Sequence, residues 1–222
     1  SSTYIICGAV SNTSDKQVPE DYGVKSGWGM FRVRGEIPAL FTGEADQRYL
    51  FFTDGQTQYL NKIDDQSNGF FVTKWTNLTD NGQTASNTAD GGVNTDYPLF
   101  RLADVYLMMA EAVVRGGTGS DRGTVLGYIN ELQRRAYGDD EHKIADSDLT
   151  LDFLLKERAR ELYWEGHRRT DLIRYGMFTT DKYLWQWKGG EKGGTAVNSK
   201  YNIYPIPNTE LTANPNLYNE NY

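Results

Sequence analysis

Glu157, Glu161 and Glu165 recur at intervals of four, which on a continuous helix stacks three carboxylates on one face. Two carboxyl groups held about 5 to 10 Å apart across a glycosidic bond are the acid and base of a glycoside hydrolase. Lys156, Arg158, Arg160, Arg168 and Arg169 interleave with them, however. A carboxylate beside an arginine is held in its charged form and is a poor proton donor. The pattern therefore reads as an ion-pair network fixing a helix end, with the hydrolase kept as an alternative. The same alternation of signs leaves no basic face for nucleic acid.

Metal and thiol chemistry find little support. The chain has two histidines, His142 and His167, and one cysteine, Cys7, all far apart in sequence, so zinc is not expected. Asp139, Asp140, Glu141, Asp146 and Asp148 offer oxygen atoms that suit Ca²⁺ but lack the spacing of an EF-hand loop; they read as a solvated acidic loop before a helix. Cys7 follows Tyr4-Ile5-Ile6 and reads as a buried, inert thiol, and one cysteine allows no internal disulfide. The linker GGTGSDRG has no lysine after its last glycine and reads as a helix connection, not a phosphate loop. No metal or cofactor is expected.

The elements that must position these residues fall into two textures. Residues 1–96 are irregular, with β-like runs at Tyr4–Ile6, Tyr49–Thr53 and Phe70–Trp75 and a polar loop at 76–96. After Tyr97, the residues Leu99, Leu102, Tyr106, Met109, Ala110 and Val113 recur at helical spacing and stop at Gly116-Gly117. A second helix carries Val125, Leu126, Ile129, Leu132 and Ala136 and stops at Gly138, completing an antiparallel hairpin. Thr150 caps a third helix with Asp152 in its first turn; it carries Leu151, Leu154, Leu155, Ala159, Leu162 and Tyr163 and ends at Gly166. A short helix is expected at Thr170–Tyr175. The proline-containing tail from Tyr183 is expected to run extended.

At 222 residues and a formal charge of −7, the chain can bury about 70% of its unfolded surface and is a poor partner for a polyanion. No run reaches the roughly 18 apolar residues of a spanning helix. The chain begins without methionine, inside a β-like run, and reads as a water-soluble piece of something longer. Its 15 Tyr, 9 Phe and 5 Trp supply flat apolar faces among many amides and carboxylates, a mixture that suits sugars.

Three segments together resemble the C-terminal half of the SusD/RagB family, surface glycan-binding lipoproteins that partner TonB-dependent, SusC-like transporters in Bacteroidetes-type bacteria. They are YPLFRLADVYLMMAEA at 97–112, ERARELYWEGHRRTDLIRYG at 157–176, and PIPNTEL at 205–211 followed by NPNL at 214–217. Gly27-Trp28-Gly29 followed by Arg32 is similar to the family as well. The resemblance covers 97–222 and implies a mainly α fold of tetratricopeptide-like helix hairpins with irregular segments and a few short strands, forming one compact domain. It also implies a non-enzymatic role: oligosaccharide is bound at the outer-membrane surface and passed to the transporter barrel, the full-length protein being lipid-anchored. A complete member carries in addition an N-terminal half that supplies much of the glycan face. The remaining alternative is a tetratricopeptide-type scaffold for a peptide or protein partner.

Within that frame Arg101, Asp104, Glu111, Glu157, Arg158, Arg168, Asp171 and Arg174 are expected to be structural ion pairs. Sugar contact instead requires exposed rings. Trp28, cleared by its flanking glycines, is the first candidate, followed by Trp75 beside the polar loop and Trp185 and Trp187 in the tail. Trp164 is expected in the core.

Overall fold

The helical spacing after residue 97 becomes α1 (Leu102–Val114) in the computed structural model of the chain, which describes residues 16–43, 45–86 and 92–218. Pro98 disfavours helical backbone at Tyr97, and Arg101 is extended (φ −130°, ψ 148°) where its side chain reaches Glu161 and Glu165. The buried face of the helix also differs from expectation. Ala103, Leu107 and Ala110 are buried, whereas Leu99 and Leu102, assigned by spacing to the inner face, are 71% and 63% exposed.

α2 (Arg122–Tyr137) packs against α1. The Asp121 side chain accepts a hydrogen bond from the Thr124 amide at its start, and Gly138 closes it at φ 79°, a left-handed turn that glycine adopts without steric cost. α3 (Leu151–Leu162) is capped by Thr150, whose hydroxyl accepts from the Phe153 amide. Leu107, Ala110, Val125, Ile129, Leu149 and Leu154 meet between the three helices, each at most 1% exposed. Full burial of each Leu, Ile or Val contributes roughly 1.5–3 kcal/mol.

α3 stops at Leu162, four residues before the expected Gly166. Tyr163 turns extended so that its ring joins Val33, Phe41, Phe70 and Val72 in a second core, and its hydroxyl donates to the Arg48 carbonyl at 2.8 Å. Lys74 Nζ donates to the carbonyls of Glu161 (2.8 Å) and Tyr163 (3.1 Å) near this helix end, where carbonyls lose their helical partners. Trp164 therefore lies beyond the helix. It is half-buried against the second core and sits at φ 64°, a rare conformation for a bulky residue.

The irregular N-terminal region contributes β1 (Phe51–Phe52) and β2 (Phe71–Val72), antiparallel with Phe51 opposite Val72. The expected run at 4–6 and Cys7 lie outside the described residues. The polar loop is better anchored than its composition suggests. Asn77, 1% exposed, donates to the Gly23 carbonyl and accepts from the Asn94 amide. Gly23 is required there, because at its φ of 72° a Cβ would lie 2.3 Å from the Asn77 oxygen.

The described residues divide into two compact units, one up to Arg168 and one from Arg169 onward. α4 (Arg168–Arg174) leads into the second, whose other helix is α5 (Asn208–Ala213). Short 3₁₀ turns at Lys188–Gly190, Ser199–Asn202 and Pro215–Leu217 replace the expected extended tail. No described helix is long and apolar enough to cross a membrane.

Candidate functional site

Glu157, Glu161 and Glu165 do converge, but on arginines and a lysine. Glu161, 3% exposed, meets Arg48 at 3.2 Å, Arg101 at 2.9 Å and Arg135 at 2.5 Å. Glu157 is held by Arg48 and by Arg160, and Glu165, which lies past the end of α3, by Arg101 and Lys74. Asp46 completes the ring on the far side of Arg48. Burial alone would raise the Glu161 carboxyl, but Arg135, Arg48 and Arg101 outweigh it and hold it below its ordinary range. Burial works the other way on Lys74 and, despite Glu165, leaves its ammonium below its usual value.

This geometry cannot run acid/base chemistry on a glycoside. A general acid must keep its proton near neutral pH and must reach the substrate. Glu157, Glu161 and Glu165 are all at most 3% exposed and saturated with cations. What the arrangement does is tie the start of α1, the end of α3 and the segment 46–74 to one point. The remaining sequence-derived pairs act similarly. Asp104 and Arg158 meet at 2.7 Å between α1 and α3, Glu111 pairs with Arg115, and Asp171 with Arg174. Arg168 Nη1 donates to the Leu155 carbonyl.

The tryptophans separate into different environments. Trp28 is 39% exposed between buried Gly27 and Gly29, and its ring stacks on Phe31 at 5.7 Å and 26°. The turn holding it is closed by the Phe31 amide on the Trp28 carbonyl and braced by Arg32, which donates to the carbonyls of Ile63, Asp65 and Asn68. Trp75 packs instead with Val24, Tyr22 and Val93, so its ring serves a small core. In the second unit Trp185 stacks on Phe178 at 5.7 Å and lines an open cleft of about 690 Å³. Trp187 is two residues on, at φ 65°, and does not line that cleft.

The profile of the SusD family matches residues 26–222. The chain belongs to the SusD family. Starch-binding protein SusD of Bacteroides thetaiotaomicron is 41% identical over 195 residues, which make up 87% of this chain and 32% of SusD. SusD-like protein P25 of Formosa agariphila is 34% identical over 122 residues. Surface glycan-binding protein A of Bacteroides fluxus shares the fold at a TM-score of 0.60 and 22% identity, over 88% of this chain and 40% of that one. The chain thus spans about a third of SusD, less than the half that the resemblance suggested.

Within this SusD-family chain, the segments that carried the resemblance supply Arg101, Glu157, Arg160, Glu161 and Glu165 of the buried ion-pair network. Asp46, Arg48, Lys74 and Arg135 escaped sequence reasoning because they meet the glutamates only in three dimensions. Arg48 stands 109 residues before Glu157. Among the described residues no group of three or more His, Cys, Asp or Glu side chains is arranged to hold a metal. Acids of this loop are engaged by nearby side chains, Asp139 by His142, Asp140 by Lys143 and Asp146 by Arg122 at the start of α2.

Proposed function

We propose that this SusD-family chain is part of a non-catalytic glycan-binding protein of the outer-membrane surface. The full-length, lipid-anchored protein passes oligosaccharide to a TonB-dependent, SusC-like transporter. The observation that carries the reading is the Trp28 platform, a well-braced tryptophan left 39% exposed on a stacked partner. A pyranose offers a C–H face to such a ring, and an aromatic contact of this kind supplies about 0.5–1.5 kcal/mol beyond its area burial. Trp185 is the second stacking residue. Starch is the first glycan to test, because the 41%-identical SusD is a starch-binding protein.

Electrophoresis through native gels cast with starch and other polysaccharides tests this directly. The protein should be retarded by at least one of them relative to an inert marker. Unretarded migration in every gel would remove the reading.

A further inference from the structure

Arg169 faces the second unit's cleft without a carboxylate partner among the described residues, although the chain as a whole carries seven excess negative charges. Its guanidinium carbon lies 3.8 Å from the Tyr204 ring centroid and 5.0 Å from that of Phe178. One of its N–H groups donates to the Tyr201 carbonyl at 2.6 Å. Arg169 makes no ion pair among the described residues, so most of its five donors remain available. Arg48, Arg101 and Arg158 of the first unit are, by contrast, matched with acids.

The rest of the lining reinforces the contrast. Lys188 is buried, and its ammonium donates to the Thr180 and Tyr183 carbonyls while lying 4.6 Å from the Trp185 ring. It places positive charge over the Trp185 ring, and none of the described residues lining the cleft is acidic. An aromatic floor, a planar guanidinium edge and a volume of about 690 Å³ fit one or two sugar rings bearing an anion. A guanidinium matches a carboxylate in two parallel hydrogen bonds.

We infer that this cleft binds an acidic sugar, a uronic-acid residue whose carboxylate pairs with Arg169 while its ring stacks on Trp185. The inference rests on the glycan-binding reading and adds the charge class of the ligand. It gives the protein a second contact point, distinct from Trp28, that selects for a uronate.

Calorimetric titration of the protein with an oligogalacturonate, a neutral malto-oligosaccharide and a sulfated oligosaccharide tests it, repeated on Arg169→Gln, Arg169→Lys and Trp185→Ala. A charge-assisted bidentate contact predicts that the uronate binds more tightly than the neutral sugar and loses about tenfold or more in affinity with Arg169→Gln. Arg169→Lys should recover only part of that, and neutral-sugar binding, read together with an unchanged melting temperature, controls for folding. Equal affinity for neutral and acidic sugars, unaltered by Arg169→Gln, overturns the acidic-sugar inference and leaves glycan binding standing. A sulfated ligand preferred over the uronate overturns the carboxylate assignment. Failure to bind any sugar overturns both this inference and the reading beneath it.

Discussion

Asp104 in α1 and Arg158 in α3 form an ion pair of 2.7 Å whose side chains are 8% and 4% exposed. Each charge has been taken out of water and is compensated across the pair. Asp104→Ala should therefore cost about 3–5 kcal/mol, because it removes a carboxylate that compensates a buried guanidinium. Replacing both partners by leucine and methionine should cost much less than the single change. Chemical denaturation of the single and double variants gives the comparison, and a cheap single substitution would show that the pair is not enclosed as described.

Glu161 sets an acid limit on the fold. Its folded carboxyl titrates below its unfolded counterpart, so its pairing stabilises the protein above about pH 4.3 and is lost as pH falls through the lower folded value. Melting temperature should hold between pH 7 and 5 and drop steeply below pH 4. Glu161→Gln should melt lower at pH 7 and show a shallower acid decline. An identical acid profile in the variant would place the sensitivity elsewhere.

The same glutamate separates a binding protein from an enzyme. Incubation with a broad polysaccharide panel should release no reducing ends, and Glu157→Gln and Glu161→Gln should alter stability alone. Turnover by the parent that either substitution abolishes would restore the hydrolase alternative.

Gly194 holds the loop that carries Trp185. At its φ of 79° a Cβ would lie 2.5 Å from the Trp185 carbonyl oxygen. Gly194→Ala combines that clash with left-handed strain of about 1–3 kcal/mol, and should lower the melting temperature and shift tryptophan fluorescence as Trp185 moves. Gly190→Ala has a comparable φ of 85° and open space around the new methyl, so it should perturb the fluorescence less.

Local chemistry was legible in the sequence and distant chemistry was not. Thr150 and Gly138 mark helix ends through hydrogen bonds and backbone freedom that any reader can anticipate. Glu157 and Glu161 announced ion pairing by their arginine neighbours, yet Arg48 and Lys74 come from segments with no periodicity to flag them. The end of α3 was misplaced because Tyr163 leaves the helix to fill a core built by residues 33–72. The exposure of Trp28 fitted its flanking glycines, whereas the pairing of Arg169 with Tyr204 required the tail to fold back on α4.

Glycan recognition by this chain requires an exposed ring that binds sugar. Isothermal titration of malto-oligosaccharide into the protein and into Trp28→Ala, with melting curves on both, measures this most directly. Loss of a stacking contact worth about 1–2 kcal/mol predicts a five- to thirtyfold weaker Kd with a melting temperature that barely moves. An unchanged Kd in Trp28→Ala, or a loss of affinity that tracks a loss of folding, would contradict the central claim.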